Sequence, residues 1–420
     1  MKTVNASIIT IGDELLIGQT IDTNSAFIAQ ELNKIGVWVK RRVAVGDLWD
    51  DIWQALDEEG KNADIVIITG GLGPTADDIT KPLLCKYFGG KLVVNEDVLN
   101  HVKYLFEQVY RRPGKMLERN LKQAEVPDVC TVLHNARGTA PGMLFKKSGP
   151  VFISLPGVPH EMKGLMIDQV IPRLLKEFEM PVILHRTAFT SGAGESMIAE
   201  HIKDFESALP SYIKLAYLPG YGMVKLRLTA TGADKDILEK ELDDKFDQLK
   251  VLVKQWLVTD TDEGLEVVVG KILKERNKTM ATAESCTGGY IAHLITSVAG
   301  SSAYYNGSVV SYSNEVKEDI LGVKHSTLAS VGAVSEETVK QMVKGVIEKL
   351  NVDYAVATSG IMGPDGGTAE KPVGMVWIAA GNKDRIIAKE FHFRFDRERN
   401  IRQTAHTALD FLRKFILANS

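Results

Sequence analysis

The sequence predicts an α/β protein of several domains, in which helices cover parallel sheets. Short apolar runs rich in β-branched residues alternate with helical patterns, as where ASIITIG is followed by TNSAFIAQELNKIG. Such alternation is typical of βα units and of a parallel sheet. The chain has 420 residues, whereas single hydrophobic cores stop growing at roughly 250 to 300 residues. We therefore expect two or three compact domains.

The composition is that of a folded protein without a strong charge. Hydrophobic residues make up 45% of the chain, charged residues make up 25%, and the formal net charge is -4. These fractions are typical of a globular domain with ample apolar surface to bury. Because a net negative charge gives no general attraction to polyphosphate, direct nucleic-acid binding is disfavoured.

Neither the cysteines nor the first residues indicate export or membrane insertion. Cys85, Cys130 and Cys286 lie far apart and never in a paired spacing, which supports neither a disulfide framework nor a zinc ribbon. The start MKTVNASIITIG contains only a short apolar run interrupted by polar residues. No segment reaches the length needed to cross a bilayer. We expect a cytoplasmic protein with no membrane partner.

The first region is predicted to be a doubly wound sheet that binds ligands at the carboxyl ends of its strands. In the helix after the first strand, Ile28 and Leu32 belong to one apolar stripe. Asp22 or Thr23 is expected to cap its start, and Gly36 stands where the helix ends.

Two further regions follow. From about Val182 the chain reads as a strand, the helix GESMIAEHIKDF, two strands and a charged helix ending near Trp256. This is a small α+β unit, for which we expect a role in spacing or dimerisation. The acidic segment TDTDEG then separates it from a third region, where strands and helices alternate again.

The string ATAESCTGGY is a candidate catalytic turn in the third region. Glu284 and Ser285 end an apolar strand, and Thr287 and Gly288 open the next helix, whose free amides can hold an oxyanion or a phosphate. A serine nucleophile needs a base such as a histidine or a desolvated lysine. On spacing alone, a serine at this position is more often a helix cap than a nucleophile.

The base and the nucleophile each have more than one candidate. Lys317 follows a separate strand and can return to the same sheet edge, whereas His293 lies one turn into the helix after Ser285. Cys286 is a rival nucleophile, although a small buried hydrophobe is its commoner role. The residues alone leave these alternatives open.

Two more segments of the third region suit an anionic ligand. The glycine-rich loop SGIMGPDGG, which runs from Ser359 and includes Gly363, can present amides to an anion or simply connect two strands. Near the C-terminus Arg397, Arg399 and Arg402 are each able to pair with a phosphate, although surface solvation is the ordinary role of an arginine.

The first region has its own candidate site, built from glycines and carboxylates. Gly12, Asp13 and Glu14 directly follow the first strand. GGLGPTADDIT follows another strand and is predicted to enter a helix at Thr75, so that the glycines form a phosphate-binding turn. The motif lacks the Lys-Ser/Thr ending of a Walker sequence. The residues predicted to contact a phosphate or nucleotide are Gly12, Gly70, Gly71, Gly73, Thr75 and Asn135.

Carboxylates near such a turn suggest a divalent cation that bridges to a diphosphate. The predicted metal ligands are Asp13, Glu14, Asp78 and Glu161. Asp78 also fits an ordinary role in stabilising a helix dipole. Binding of a pterin or nucleotide diphosphate without chemistry is the competing interpretation.

The third region resembles the C-terminal domain of the competence/damage-inducible protein CinA family. The motifs ATAESCTGG, GSS, SYSNEVK, GAVSEETV, SGIMGPDGG and KPVGMVWIA occur in the order and spacing of that family. The resemblance implies a nicotinamide mononucleotide deamidase with Ser285 as nucleophile and Lys317 as base, and no cofactor. It also implies a substrate pocket formed by Glu284, Thr287, Gly288, Ser302, Tyr312, Ser359, Gly363 and Arg402. The chain departs from the family at Ser359 and Met362, where threonine and alanine are usual.

The first region resembles the molybdopterin-binding, MogA-like domain found at the N-terminus of the same family. The resemblance implies a pyrophosphatase that acts on ADP-ribose and depends on a divalent metal, namely Mg, Mn or Co. The predicted domains are a MogA-like domain over residues 1–172, a KH-like α+β domain over 173–257 and the CinA deamidase domain over 258–420.

The sequence therefore predicts a bifunctional enzyme of pyridine nucleotide salvage. Its predicted substrates are nicotinamide mononucleotide and ADP-ribose, and its predicted assembly is a homodimer. The alternative is a non-catalytic nucleotide- or pterin-binding partner protein in competence or DNA repair. The absence of a basic patch argues against direct contact with DNA.

Overall fold

The computed structural model describes residues 4–75, 78–110, 117–146 and 149–419. Packing divides the chain into two compact units. The first comprises Met1–Leu184 and Ala230–Lys240, and the second comprises His185–Thr229 and Glu241–Ser420. The three domain boundaries given above stay a prediction.

The first part of the chain alternates strands and helices as expected. Its strands are β1 (Asn5–Ile11), β2 (Trp38–Val45), β3 (Ile65–Thr69), β4 (Leu92–Val94), β5 (Glu125–Pro127), β6 (Thr131–Leu133), β7 (Gly142–Lys146) and β8 (Val151–Leu155). Its helices are α1 (Asp13–Leu16), α2 (Thr23–Lys34), α3 (Trp49–Asn62), α4 (Thr80–Tyr87), α5 (Glu96–Tyr104), α6 (Glu118–Leu121), α7 (Pro159–Leu165) and α8 (Ile171–Glu177).

The main sheet of this part has the strand order β2-β1-β3-β8-β7-β6. The first four strands pair in parallel, but β7 and β6 pair antiparallel. The expectation of a wholly parallel sheet is wrong at this edge because a parallel crossover needs about a dozen residues or more, and the connection from β7 to β8 is much shorter.

Helices cover both faces of this sheet, which confirms the doubly wound arrangement. Ile28 and Leu32 of α2 pack in one core with Ile8, while Ile52 and Leu56 of α3 belong to the core on the other face. Neighbouring residues of a strand point to opposite faces, so each strand supplies apolar side chains to both cores. As predicted, Asp22 caps α2, its carboxylate accepting a hydrogen bond from an amide of the first turn.

The middle part forms a small α+β unit with a four-stranded sheet. Its elements are β9 (Val182–Ser191), α9 (Glu195–His201), α10 (Lys203–Ser207), β10 (Ile213–Gly220), β11 (Met223–Gly232), α11 (Lys235–Leu252) and β12 (Leu257–Thr259). The strand order is β10-β11-β9-β12. The predicted charged helix therefore ends at Leu252, slightly before Trp256.

The last part carries a five-stranded sheet in the order β14-β13-β15-β16-β17. Its strands are β13 (Met280–Glu284), β14 (Tyr305–Val310), β15 (Tyr354–Gly360), β16 (Met375–Gly381) and β17 (Ile386–His392). Its helices are α12 (Leu265–Glu275), α13 (Tyr290–Thr296), α14 (Asn314–Leu321), α15 (His325–Val331), α16 (Glu336–Leu350) and α17 (Arg397–Ala418). Strands β14, β13 and β15 are parallel, so their carboxyl ends meet at one edge.

Helix α17 is the longest helix in the described part of the chain, with 22 residues. Leu409 and Leu412 of α17 pack with Leu265 of α12 and Ile291 of α13 in a core on one face of the sheet. Among the helices of the described ranges, none combines the length and the apolar character that crossing a bilayer requires.

Candidate functional site

A polar cavity opens at the edge where the three parallel strands β13, β14 and β15 end. The residues that line it are Ser285, Cys286, Tyr312, Asn314, Lys317, Ala333, Val334, Ser359, Gly360, Met362 and Arg397. The predicted nucleophile and the predicted lysine base therefore share one cavity. They come together because the carboxyl ends of adjacent parallel strands lie side by side.

Ser285 occupies the turn between β13 and α13. Its amide donates a hydrogen bond to the carbonyl of Thr358 (3.0 Å), which extends the pairing of β13 with β15 by one residue. Its own carbonyl accepts from the amide of Gly288 (3.2 Å), and this bond closes the turn. Gly288 has a φ of 61°, a value that favours glycine. Ser285 is only 8% exposed, so its backbone is held at both ends and little bulk solvent reaches it.

Lys317 lies in the first helical turn after the neighbouring strand β14. It is 1% exposed, and its Nζ donates to the carbonyl of Ser311 at 2.7 Å. The carbonyls of Tyr312 and Ser313 lie 3.4 Å from the same nitrogen. No carboxylate pairs with Lys317 in the described part of the chain. Burial lowers the pKa of Lys317, which favours the neutral amine that a general base must supply.

The two rival candidates are less suited to the chemistry. Cys286 is buried, and burial raises the pKa of its thiol to about 12, so the thiolate is scarce at neutral pH. His293 is exposed on α13 and does not line the cavity. The geometry thus favours Ser285 over Cys286, and Lys317 over His293.

Glu284 is a structural residue, buried beneath the cavity. Its carboxylate accepts hydrogen bonds from the amides of Gly289 (3.1 Å), Ile291 (3.0 Å) and Ala292 (2.9 Å) at the start of α13. It also accepts from the hydroxyl of Thr287 (2.7 Å). Most of the helix-start amides predicted to hold an oxyanion are therefore occupied by this carboxylate, because a buried helix start needs acceptors from within the protein.

We expect Glu284→Ala to lower the free energy of unfolding by about 1 to 3 kcal/mol, because several buried donors would lose their acceptor. Urea unfolding followed by circular dichroism measures the change. Glu348→Ala is the matched control, since Glu348 is exposed and lies only 4.0 Å from Lys344 at the surface. Equal stability of the two variants would contradict the structural role of Glu284.

The glycine-rich loop after β15 and the start of α17 form the opposite wall. Ser359 is buried and its hydroxyl donates to the carbonyl of Ala333 (2.8 Å). Arg397 donates to the carbonyl of Gly363 (2.8 Å) and to the hydroxyl of Tyr312 (3.0 Å). The bonds of Arg397 to Gly363 and Tyr312 therefore fix its guanidinium at this wall. Met362 of the same loop also lines the cavity.

Of the eight residues predicted for the substrate pocket, Tyr312 and Ser359 line the cavity and the other six do not. Arg402 pairs with Glu398 one turn back on α17 (2.6 Å) and does not line the cavity. Ser302 is exposed just before β14, at the amino end of the strands, whereas the cavity lies at their carboxyl ends. The predictions of Arg402 and Ser302 as pocket residues are thus not supported by the fold of a single chain, and Arg397 occupies the place expected for Arg402.

Asn314 lines the cavity although it was not among the predicted site residues. It is the first residue of α14 and precedes Lys317 by three positions. Residues three apart share a helix face, so the spacing within SYSNEVK was a usable signal.

The first unit has a second polar cavity at the carboxyl ends of β1 and β3. The residues that line it are Thr10, Ile11, Glu14, Leu15, Thr20, Ile21, Asp22, Thr23, Asn24, Thr69, Gly157 and Pro159. Of the predicted site residues of this unit, only Glu14 lines the cavity. Asn24, which the sequence analysis missed, donates to the carbonyl of Gly157 (2.8 Å). Asn24 is the second residue of α2, and a polar side chain at the start of a helix near the strand ends could have been recognised as a candidate site residue.

The predicted phosphate-binding turn carries its own anion. Asp78 accepts from the amides of Gly73 (2.8 Å) and Thr75 (2.9 Å), and also from the hydroxyl of Thr75. The prediction of a helix that begins at Thr75 is wrong, since α4 begins at Thr80 after this capped turn. Gly70 is nevertheless required, because it has a φ of 121° and a Cβ there would lie 2.3 Å from the carbonyl oxygen of Ile11.

The four predicted metal ligands are not gathered into one centre. Glu161 accepts a hydrogen bond from Asn135 (2.6 Å), and burial raises the pKa of Glu161. Asp13 faces the amide of Asp47 (3.2 Å). Within the described ranges no group of three or more His, Cys, Asp or Glu side chains is placed to hold a metal ion. Gly12 and Gly71 lie at the strand ends but do not line the cavity.

Three family models match the chain. Residues 262–416 match the CinA C-terminal domain, residues 7–176 match the probable molybdopterin binding domain and residues 185–258 match the damage-inducible protein CinA KH domain. A CinA-like protein of Cytophaga hutchinsonii is 49% identical over 411 residues, which is 98% of each chain. A CinA-like protein of Flavobacterium psychrophilum is 46% identical over 417 residues, which is 99% of each chain.

The solved structures that are similar to this chain include proteins that are shorter than it. The competence/damage inducible protein CihA from Agrobacterium tumefaciens is 39% identical, with 36% of this chain and 92% of that chain covered and a TM-score of 0.35. The protein CinA with unknown function from Thermoplasma acidophilum is 37% identical, with 42% of this chain and 98% of that chain covered and a TM-score of 0.37.

Proposed function

The chain belongs to the CinA family, and on that premise we propose that its last part hydrolyses nicotinamide mononucleotide to nicotinate mononucleotide and ammonia. The observation that carries the proposal is the shared cavity of Ser285 and Lys317, in which the lysine is buried, its Nζ donates to the carbonyl of Ser311 and burial lowers its pKa. A serine that shares a cavity with such a lysine is suited to attack on a carboxamide.

The first half of the reaction forms an acyl-enzyme. Lys317, as the neutral amine, takes the proton of the Ser285 hydroxyl while the Ser285 oxygen forms a bond to the carboxamide carbon. The tetrahedral intermediate then collapses, the carbon–nitrogen bond breaks, and the proton on Lys317 passes to the leaving nitrogen. Ammonia leaves, and the nicotinoyl group remains as an ester of Ser285.

The second half reverses these roles with water as the nucleophile. Lys317 takes a proton from water, the hydroxide oxygen bonds to the ester carbon, and Ser285 leaves with the proton. The amides of Cys286 and Thr287, which Glu284 does not occupy, are the donors closest to the nucleophile in sequence and are suited to the oxyanion. The residues that carry these steps include no metal ligand, so a chelator should leave the reaction intact.

Arg397 is suited to the phosphate of the substrate. It and Lys317 are the cationic side chains among the described residues that line the cavity, and Arg397 is exposed whereas Lys317 is buried. Its guanidinium is oriented by Gly363 and Tyr312, and arginine binds phosphate through paired donors.

Arg397→Gln is expected to raise KM for nicotinamide mononucleotide about tenfold or more, with little change in kcat, because a charge-assisted contact to the phosphate is lost. Steady-state kinetics with nicotinamide riboside, which lacks the phosphate, should show no such increase. Arg399→Gln removes the same charge from the same helical turn, where the guanidinium stacks on Phe395 at 3.9 Å, and serves as control. Equal effects on the two substrates would contradict the phosphate contact.

The direct test of the proposal is release of ammonia from nicotinamide mononucleotide by the pure full-length protein in the presence of a chelator. Ammonia and nicotinate mononucleotide in equal amounts support it. A folded protein that releases neither would overturn it and favour the binding-protein alternative.

The first unit gives less support to its predicted chemistry. Asp78 is used by its own turn and Glu161 is held by Asn135, so these carboxylates do not fit a divalent metal centre as they stand. The ADP-ribose pyrophosphatase activity, its metal and the homodimer therefore stay predictions. The cavity beside Glu14 is the place where a nucleotide or pterin ligand would be sought first.

A further inference from the structure

A separate cavity lies in the second unit, between the turn that joins β10 to β11 and the elements β17 and α17. Its volume is about 380 Å³, which is within the usual range for small-molecule sites. The residues that line it are Ser191, Gly192, Tyr221, Gly222, Met223, Lys389, Phe391, Phe393, Gln403, His406, Thr407, Asp410, Phe411 and Lys414. It shares no residue with the cavity of Ser285.

Regular secondary structure supplies two of its walls. Lys389 and Phe391 are two positions apart on β17, so they project from one face, and Phe393 follows directly after the end of the strand. Gln403 and Asp410 are seven positions apart on α17 and share a helix face. The walls are therefore built on rigid elements rather than on loops.

The third wall is a turn pressed close to α17. Gly222 has a φ of 67°, and a Cβ there would lie 2.2 Å from Nε2 of Gln403. The backbone conformation therefore favours glycine at this position. The preceding Tyr221 lies parallel to the ring of His406, with 6.0 Å between centroids and 2° between planes.

The floor of the cavity is a buried and fully engaged carboxylate. Asp410 accepts from the hydroxyl of Ser191 (2.8 Å), from Nε of Arg413 (2.9 Å) and from Nζ of Lys414 (2.7 Å). Burial acts to raise the pKa of Asp410, but the bond from Lys414 and the charge of Arg413 outweigh it and hold that pKa below its usual range. Asp410 therefore remains charged but has few free acceptor positions for a ligand.

Positive charge exceeds negative charge around this space. Among the residues that line the cavity, Lys389 and Lys414 carry two positive charges against the one negative charge of Asp410, and the Nζ of Lys389 lies over the ring of Phe391 (5.4 Å). Burial lowers the pKa of His406, so its ring is neutral at pH 7, and its Nδ1 is buried without a hydrogen-bond partner. An anionic ligand would therefore meet the ammonium groups of Lys389 and Lys414 beside a neutral His406 ring.

We propose that this cavity binds a nucleotide, its base against the aromatic walls and its phosphate against Lys389 and Lys414. Tyr221, Phe391 and Phe393 line the cavity and would pack against a flat base, and aromatic contacts of this kind add to the apolar burial. The ammonium groups at the rim complement a phosphate. The site is distinct from both cavities described above, although Arg397 at the start of α17 lines the cavity of Ser285.

The test is binding of adenosine 5′-monophosphate to the full-length protein by isothermal titration calorimetry, with adenosine as the ligand that lacks the phosphate. We expect Lys389→Gln to weaken binding of the nucleotide about tenfold, because one contact to its phosphate is lost. Thr407→Trp should abolish it by filling the cavity. Lys383→Gln removes the same charge from the exposed turn before β17 and should bind like the unaltered chain.

Either of two results would overturn the proposal. One is no binding of the nucleotide at millimolar concentration. The other is binding that both Lys389→Gln and Thr407→Trp leave unchanged, which would assign the nucleotide to another cavity. Thermal unfolding of each variant shows whether it is folded, and Lys389 is exposed, so its replacement keeps the test decisive if Thr407→Trp is unstable.

Discussion

Replacement of Ser285 by alanine is expected to reduce ammonia release from nicotinamide mononucleotide by at least about three orders of magnitude. The nucleophilic oxygen is removed, and the other groups of the site cannot form the acyl-enzyme in its place. The substitution should leave the fold intact, because the turn is held by the backbone bonds of Ser285 to Thr358 and Gly288. Single-turnover assays with a mass-spectrometric search for the nicotinoyl ester check the result directly.

Cys286→Ala is the matched control for Ser285→Ala. The thiol is the next residue in the chain and lines the same cavity, but its high pKa keeps it protonated. The variant should retain near-normal ammonia release. Loss of activity in Cys286→Ala, together with retention of activity in Ser285→Ala, would show that Cys286 and not Ser285 is the nucleophile.

Lys317→Met is expected to lower kcat by about two to four orders of magnitude, the usual contribution of a general acid or base. Methionine approximates the buried stem of the lysine, so packing is largely conserved while the amine is lost. Lys324→Met, at an exposed position just beyond α14, is the control for loss of a positive charge. Urea unfolding of both variants separates catalytic loss from unfolding.

The pH dependence gives an independent test of Lys317. A general base acts as the neutral amine, so kcat/KM should rise as the pH increases through the pKa of Lys317. Because burial lowers that pKa, the rise should occur at lower pH than an exposed lysine would produce, and it should be absent in Lys317→Met. A rise at the pH of an ordinary lysine, unchanged by the substitution, would contradict the role of Lys317 as base.

The sequence was sufficient to place Ser285 and Lys317 at one sheet edge, where both line the same cavity. Each follows a strand of a βα unit, and the carboxyl ends of adjacent parallel strands lie at one edge whatever the details of the loops. The cap of α2 at Asp22 was predictable for a similar reason, since capping depends on residues close in the chain.

The roles of the carboxylates could not be predicted in the same way. Asp78 satisfies the amides of its own turn and Glu284 satisfies those of α13. A sequence shows that donors and acceptors are present, but not which of them bond to each other. The prediction that Arg402 lines the pocket is not supported for a different reason. The direction in which a helical arginine points depends on where α17 begins and how this helix packs.

The position of Glu284 has a consequence for how the proposed reaction ends. Hydrolysis turns a neutral amide into an anion, and an unoccupied helix start would attract that new charge and slow its departure. The carboxylate of Glu284 already neutralises the positive end of α13. The start of α13 would therefore not retain the carboxylate of nicotinate mononucleotide after hydrolysis.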